Sequence, residues 1–292
     1  MADARISVVI PVYNAAETIG PTIERLFQQR LAPCETILVD DGSTDGTADV
    51  LAGFGARIRV IRKANGGPAS ARNAGVRAAT GEFVAFTDSD CLPAPDWLAR
   101  LLAGFDGEEV AGVGGIVRGV DATLTGEYVD AIRLLDPQAD ETGEIPYLIT
   151  ANACFRREAL LRAGLFDERF RKPGGEEPEL CARIRRLGYR FAAVESAVVL
   201  HHHRQTPGSL LRTLTNYGEG LFLFSQVCPE HRIDRPWRVL LRRAVALRSI
   251  FTRVASYAGK YGLSKGVYFS VLDYLRALAM IRGYLRASRR VV

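Results

Sequence analysis

The chain has 292 residues, of which 48% are hydrophobic and 24% charged, and its net charge is +5. This composition is typical of a folded globular protein and excludes a disordered or low-complexity chain. No stretch of about 18 apolar residues is free of charge, so a membrane-spanning helix is not expected.

The charge is unevenly distributed along the chain. Residues 1–204 hold 23 Lys and Arg against 29 Asp and Glu, whereas residues 205–292 hold 15 against 4. A basic C-terminal region predicts an anionic partner, either nucleic acid or a membrane surface.

Five widely spaced cysteines without a CxxC pair indicate free thiols, and the N-terminus has no signal-peptide pattern. We therefore expect a cytoplasmic protein.

Strand and helix patterns alternate over the first hundred residues. Strand patterns lie at residues 6–12, 36–39, 58–61 and 83–86, and the first of them is a continuous apolar run typical of a buried parallel strand. Helical patterns lie at residues 18–29, from Ser43 or Thr44 to Leu51, and at residues 70–79 and 95–105. This alternation predicts an α/β fold whose mostly parallel sheet is covered by helices on both faces.

The second part of the chain changes character. Residues 110–204 mix short strands with helices, including a helix at residues 178–187. From Ser209 onward only helical patterns occur, and they are rich in Arg and aromatic residues. We therefore predict two domains, residues 1–204 and residues 205–292.

Polar clusters follow three of the predicted strands. Tyr13-Asn14 comes after the first strand, Asp40-Asp41 after the second and Asp88-Ser89-Asp90 after the fourth. Because ligands of such sheets bind beyond the carboxyl ends of the strands, these clusters predict a binding site at that edge.

Two of these clusters have a specific chemistry. The carboxylates of Asp88 and Asp90 could bind Mg²⁺ or Mn²⁺, which in turn would bind the phosphate oxygens of a ligand. Ser89 is a further candidate contact of that phosphate-containing ligand. Asp40 and Asp41 could accept hydrogen bonds from a base N–H and from ribose hydroxyls. The alternative interpretations are a turn at the end of the strand in the first case and a turn with an N-cap Ser in the second.

Asn65-Gly66-Gly67-Pro68 predicts a loop that a ligand can approach closely, and Gly67 is a candidate contact. The loop lacks the Lys-Ser/Thr ending of a P-loop, and GxGxxG is absent after the first strand. ATP hydrolysis and dinucleotide binding therefore lose their usual sequence support.

Two later clusters contain candidate catalytic and metal-binding residues. Glu176-Glu177 opens a predicted helix, whose dipole we expect to keep Glu177 ionised and able to act as a base. The alternative is a well-capped surface helix. His201-His202-His203 ends an apolar strand, and a neutral imidazole there could complete a metal site, the alternative being a polar strand end.

Taken together, these motifs resemble the family 2 glycosyltransferases. The resemblance is carried, over residues 5–204, by SVVIPVYNAAETI, ETILVDDGSTDGTADVL, NGGPASARNAGVRAATGEFVAFTDSDC and GGEEPELCARIRRLGYR, in that order. It implies the GT-A fold, a nucleotide diphosphate-sugar donor, Mg²⁺ or Mn²⁺, and an inverting transfer to a hydroxyl acceptor.

The resemblance also implies roles for individual residues. Pro11, Tyr13, Asp41 and Asp88 would line the nucleoside, with Asp40 supporting that pocket. Asp90 would hold the metal, with His201 as the metal-side histidine and His203 as its rival. Asn152 would shape the sugar and acceptor site. Glu177 would be the base where the family usually has Asp, with Glu176 as the alternate.

The basic region predicts amphipathic helices at residues 236–257 and 265–289, with arginines that include Arg242 and Arg243. One interpretation is a peripheral contact with an anionic membrane, which suits a lipid-linked acceptor. The other is packing on the catalytic domain or on a second copy. Nucleic acid is disfavoured because residues 1–204 are acidic.

Tyr217-Gly218-Glu219-Gly220 matches a YGxG pattern common in similar glycosyltransferases.

Two other functions remain open from the sequence. A nucleotidyltransferase that makes nucleotide-sugars would need a Gly-rich, basic first loop, which residues 12–17 do not provide. A non-catalytic scaffold that binds a nucleotide-sugar would tolerate Glu in place of Asp at position 177. A UDP-sugar is the donor that we expect for the enzyme, and a growing polysaccharide or a lipid-linked saccharide is the acceptor.

Overall fold

A computed structural model describes residues 5–203, 205–228 and 247–290. Its strands are β1 (Ile6–Val12), β2 (Glu35–Asp40), β3 (Arg59–Arg62), β4 (Phe83–Thr87), β5 (Cys91–Pro93), β6 (Val110–Gly119), β7 (Asn152–Arg156) and β8 (Arg190–His201). They form one sheet in the order β3-β2-β1-β4-β7-β6-β8-β5.

The first four strands are parallel, as the alternation of strands and helices in this part of the sequence predicts. β7 is antiparallel to both β4 and β6, and β5 is antiparallel to β8, so the sheet is mixed rather than uniformly parallel. β6 and β8 are parallel to each other. The α/β fold predicted from the sequence is confirmed.

The helices are α1 (Ile19–Phe27), α2 (Thr47–Ala52), α3 (Pro68–Ala78), α4 (Trp97–Ala103), α5 (Leu124–Ala131), α6 (Arg157–Arg162), α7 (Glu176–Arg186), α8 (Pro207–Val227), α9 (Leu247–Tyr261) and α10 (Leu263–Ser288). Helix α2 begins at Thr47 with Gly46 as its N-cap, so the prediction that Ser43 or Thr44 caps it was wrong. The Ser43 side chain instead accepts a hydrogen bond from the Asn14 backbone, and the Thr44 backbone donates to the Asn14 side chain.

Two apolar layers cover the sheet. One side chain layer includes Ile19 and Ile23 of α1 with Trp97 and Leu101 of α4. The other includes apolar residues of α3, α6 and α7 packed on Val9, Ile37 and Phe86. Burial of both faces by helices explains why β1 and β4 have one polar side chain each and why the middle of β2, residues 37–39, is apolar.

The described chain divides into two compact units. The first unit comprises described residues within 1–120, 133–171 and 176–202, and contains the sheet. The second comprises those within 121–132, 172–175 and 203–292. The units therefore interleave along the chain, whereas the sequence suggests one boundary near residue 204.

The second unit is helical. Asp273 of α10 is buried and accepts hydrogen bonds from Tyr128 of α5 at 2.8 Å and Tyr257 of α9 at 3.1 Å, so it joins three helices. Within the described residues, no helix is long and apolar enough to cross a membrane. Arg242 and Arg243 of the predicted basic helix lie outside the described residues.

Candidate functional site

Strand directions bring the predicted site residues to one edge of the sheet. β1, β2 and β4 are parallel neighbours, so Tyr13, Asp41 and Asp88 follow strands that end at the same edge. Antiparallel β7 begins at that edge, since its Asn152 pairs with Thr87 at the end of β4. β6 and β8 run in the direction of β4, which brings the C-terminal end of β8, His201, to the same edge.

Asp41 is buried, and its carboxylate organises the loop before α3. It accepts hydrogen bonds from the backbone N–H of Gly66 at 3.0 Å and of Gly67 at 2.7 Å, and it pairs with Lys63 Nζ at 2.7 Å. Its neighbour Asp40 accepts from the Ser43 backbone at 2.8 Å. Both carboxylates therefore shape the βα turns, and their contact with a nucleoside stays a prediction.

The backbone conformation and close packing at position 67 require glycine. Its φ is +90°, and a Cβ added there would lie 2.4 Å from the carbonyl oxygen of Arg171. We expect Gly67→Ala to destabilise the protein by about 2 kcal/mol, through both strain and this clash. Gly143→Ala is the matched control, because Gly143 has a φ of +83° with nothing within 4 Å of an added Cβ. Urea unfolding should show the larger loss for Gly67→Ala, and equal losses would contradict the clash.

The other residues predicted to contact the nucleotide-sugar differ in how exposed they are to solvent. Tyr13 is 52% exposed, so its ring is accessible for stacking on a base. Pro11 is partly buried within β1 and pairs with Val39. The carbonyl oxygen of Ser89 accepts a hydrogen bond from Thr22 at 3.2 Å, which fixes the backbone between Asp88 and Asp90. The Cys91 backbone N–H donates to the carbonyl oxygen of Asp88 at 3.2 Å, so this motif also forms the turn at the end of the strand that was its alternative interpretation.

Arg72 is a site residue that the sequence analysis missed. It lies on α3 and is buried, with Nη2 at 3.3 Å from Asp88 Oδ1 and Nη1 at 3.2 Å from Glu176 Oε1. Burial alone would lower the pKa of Arg72, but the carboxylates of Asp88, Glu176 and Glu177 raise it. Its Nε atom is buried without a hydrogen-bond partner among the described residues. α3 holds two arginines, Arg72 and the exposed Arg77, and the position of Arg72 directly after three small residues is the signal that could have suggested its burial.

Glu177, at the start of α7, is a carboxyl group with a raised pKa. Burial, followed by the charge of Glu176, raises its pKa from 4.5 to about 7. The Thr150 backbone N–H and hydroxyl donate to its Oε1 at 2.7 and 2.5 Å. The sequence analysis expected the helix dipole to keep Glu177 ionised, whereas burial and Glu176 act in the opposite direction and raise its pKa.

Asp90 and His201 form the candidate metal site. His201 Nε2 lies 3.3 Å from Asp90 Oδ1, because β5 and β8 pair at Cys91 and His201. The ligand atoms of Asp90, Cys91 and His201 all lie within 4.8 Å of one another. Burial, then the charges of Asp88 and Asp90, raises the pKa of the Cys91 thiol well above its usual value. A carboxylate and an imidazole remain. The carboxylate suits Mg²⁺ or Mn²⁺ and the imidazole suits a transition metal, so this donor set fits Mn²⁺ better than Mg²⁺.

His203 has a different neighbour. Its Nε2 lies 2.9 Å from Asp130 Oδ1 within the second unit, and its side chain is buried. His201 is thus the histidine that the structure puts beside Asp90, and His203 belongs to a separate hydrogen bond.

Asn152 is buried and tied into the sheet. Its Oδ1 accepts from the indole of Trp97 at 2.7 Å, and its Nδ2 donates to the carbonyls of Ile116 and Ala197 at 2.8 and 2.9 Å. These bonds give it a structural role between β6, β7 and β8. Its contact with a sugar stays a prediction, as does that of Glu176, whose carboxylate is paired with Arg72.

The comparison with known families agrees with this geometry. The family model described as Glycosyl transferase family 2 matches residues 7–163, which is more than half of the chain. The chain belongs to this family. It is 34% identical to the uncharacterized glycosyltransferase EpsJ of Bacillus subtilis over 181 residues, which are 57% of the chain and 52% of EpsJ. The chain spans about half the length of the curated relatives it matches.

Solved structures share the fold of this family 2 chain. A mannosyltransferase from Pyrobaculum calidifontis in complex with GDP-Man and Mn²⁺ has a TM-score of 0.61 and 22% identity, covering 94% of this chain and 86% of the other. TarS from S. aureus in complex with UDP has a TM-score of 0.55 and 16% identity, covering 97% and 92%. The predicted GT-A fold is confirmed by these similarities.

Proposed function

We propose that the chain is an inverting glycosyltransferase that moves a sugar from a nucleotide diphosphate-sugar, with UDP as the expected nucleotide, to a hydroxyl acceptor. The observation that supports this most is one sheet edge that carries both the Asp90–His201 pair and Glu177, whose pKa is raised to about 7. A base is most useful when its pKa lies near the working pH.

Glu177 would accept the proton of the acceptor hydroxyl as that oxygen attacks the anomeric carbon from the face opposite the diphosphate. Thr150 donates both of its hydrogen bonds to Oε1, so we assign the proton to Oε2. The bond between the anomeric carbon and the diphosphate oxygen breaks, and the nucleotide diphosphate leaves with the electron pair. One displacement of this kind inverts the anomer.

Asp90 and His201 would hold Mg²⁺ or Mn²⁺, whose charge offsets the negative charge on the departing diphosphate. Asp41 and the loop that it fixes would receive the nucleoside, with Tyr13 as a stacking surface. Arg72 would keep the carboxylates of Asp88 and Glu176 in place between the donor and the base.

A donor-turnover assay tests the proposed activity. The purified protein is incubated with UDP-, GDP- and TDP-sugars and a panel of hydroxyl acceptors, with and without Mn²⁺. Mn²⁺-dependent release of the nucleotide diphosphate, with a product of inverted anomeric configuration by NMR, is the expected result. Pyrophosphate from a nucleoside triphosphate and a sugar phosphate would instead indicate a nucleotidyltransferase. Donor binding without turnover would indicate a scaffold.

The exposed face of α10 supports a membrane as a further partner. Leu263, Val267 and Val271 are 70%, 46% and 51% exposed, and their spacing of four residues makes them one stripe. This apolar stripe lies in the strongly basic C-terminal region. We therefore propose peripheral contact with an anionic membrane, consistent with a lipid-linked saccharide as acceptor.

Vesicle sedimentation tests this contact. We expect binding to vesicles with anionic phosphatidylglycerol and little binding to neutral phosphatidylcholine. A Val267→Glu, Val271→Glu double variant should bind at least about tenfold more weakly, because charge would enter the apolar layer. Ser264→Glu on the same helix is the control. Equal binding by all three proteins would contradict the proposal, and a dimer that the double variant dissociates would assign the stripe to a second copy.

A further inference from the structure

The YGEG motif, Tyr217 to Gly220, lies in the middle of α8, and its glycines mark sites of close approach. A Cβ added to Gly220 would lie 1.8 Å from the carbonyl oxygen of Gly174. A Cβ added to Gly218 would lie 2.1 Å from the carbonyl oxygen of Met280 on α10. Any side chain at either position would therefore push α8 away from a backbone that it now touches.

The other two residues of the motif contact the same loop. A Cβ added to Gly174 would lie 2.8 Å from Tyr217 Cα, which shows how closely the two backbones pack. Glu219 is only 12% exposed at its side chain, and its Oε2 pairs with Lys172 Nζ at 2.9 Å. Arg286 of α10 lies 3.5 Å from Glu219 Oε1. Three of the four motif residues thus hold residues 172–175, and all of these contacts lie within the second unit.

The held loop has little stiffness of its own. Gly174 and Gly175 have φ values of +122° and +91°, which glycine adopts easily and does not maintain by itself. At its other end, Arg171 is in contact with Gly67 within the first unit. Gly175 is joined by its peptide bond to Glu176, where α7 begins, and Glu177 follows directly. The position of the loop backbone therefore affects the positions of Glu176 and Glu177, which follow it directly in the chain.

We propose that the YGEG motif is a clamp whose residues position Glu176 and Glu177 by fixing residues 172–175 on α8. The residues of the clamp are positioning residues, and the proposal rests on the proposed function of Glu177 as the base. Each residue of the motif has a structural role in the clamp. Gly220 and Tyr217 allow close contact with the loop, and Glu219 forms an ion pair with Lys172 of the loop. Gly218 allows α8 to pack closely on α10.

Lys172→Met and Gly220→Ala test the clamp. Lys265→Met is the matched control, since Lys265 forms an ion pair with Glu127 in the same unit but away from the loop. We expect faster hydrogen exchange in peptides covering residues 172–180 of both test variants and unchanged exchange there in the control. We also expect kcat to fall about tenfold, because a small displacement of a base is costly, with the donor KM kept within about twofold.

The pH profile separates positioning from a general loss of stability. A loosened loop would expose Glu177 to water and move the acid limb of kcat to lower pH, and Lys172→Arg should restore both kcat and this limb. Test variants that match Lys265→Met in exchange, kcat and pH profile would overturn the clamp. A wild-type protein without transferase activity would overturn the proposed function, whereas the exchange experiment would still report whether the loop is clamped.

Discussion

Replacing Glu177 with Gln is expected to lower kcat by about 10³-fold while changing donor binding little. The amide has the size of the carboxyl group but cannot accept the acceptor proton. The wild-type kcat should rise with pH and level off above about pH 7, because Glu177 must lose its proton and its pKa is about 7. Stopped kinetic assays over pH 5–9 measure both effects.

Glu177→Asp is the control for this prediction. It keeps the carboxylate but withdraws it by one methylene, so it should retain more activity than Glu177→Gln. Glu177→Gln with wild-type kcat would remove the base role, and an acid limb near pH 4.5 would show that Glu177 is not shielded as described.

The same raised pKa has a consequence for stability. Between about pH 4.5 and 7 the folded state holds a proton on Glu177 that the unfolded chain releases, so the free energy of unfolding falls as pH rises through this window. Glu177→Gln should therefore be more stable than wild type at pH 8, on the order of 1 kcal/mol, and similar to it at pH 4. A variant that is inactive but more stable is the combination expected when the ionised base is disfavoured by burial and by a neighbouring negative charge.

Asp90→Ala is expected to abolish Mn²⁺-dependent turnover, with a loss of about 10³-fold or more in kcat/KM. The substitution removes the carboxylate that faces His201 at 3.3 Å. His201→Ala should weaken the response to Mn²⁺ so that more metal is needed for half-maximal rate. Titration of MnCl₂ at fixed donor concentration measures both variants.

Asp96→Ala is the matched control for Asp90→Ala. Asp96 precedes α4 and pairs with Arg100 on the surface, so its loss should change neither the rate nor the Mn²⁺ requirement. An Asp90→Ala protein with full Mn²⁺-dependent activity would remove the metal role proposed for this residue.

The parallel part of the sheet could be predicted because β1, β2 and β4 are buried on both faces. The apolar runs of β1, β2 and β4 are bounded by polar residues, and parallel pairing brings those boundaries to one edge. The antiparallel direction of β7 could not be read from Asn152–Arg156, since five residues contain no information on the direction of their partner. The confirmed fold therefore came from pattern and resemblance together, and the strand directions came from the structure.

The site was predicted less completely than the fold. Arg72 was missed because an arginine on a helix is normally solvated, and only tertiary structure shows that two carboxylates surround it. The pKa of Glu177 depends on burial and on Glu176, which the helix pattern alone did not weigh. Conversely, the choice between His201 and His203 required the pairing of β5 with β8.

The central claim is that a cation, a diphosphate and a base meet at one edge of the sheet. A crystal structure grown with UDP and MnCl₂ tests it most directly, because manganese can be located by its anomalous scattering. We predict a manganese peak bound by Asp90 and His201, with the diphosphate on the metal and the uracil beside Asp41 and Tyr13. Manganese bound away from Asp90, or UDP bound away from this edge, would contradict the account.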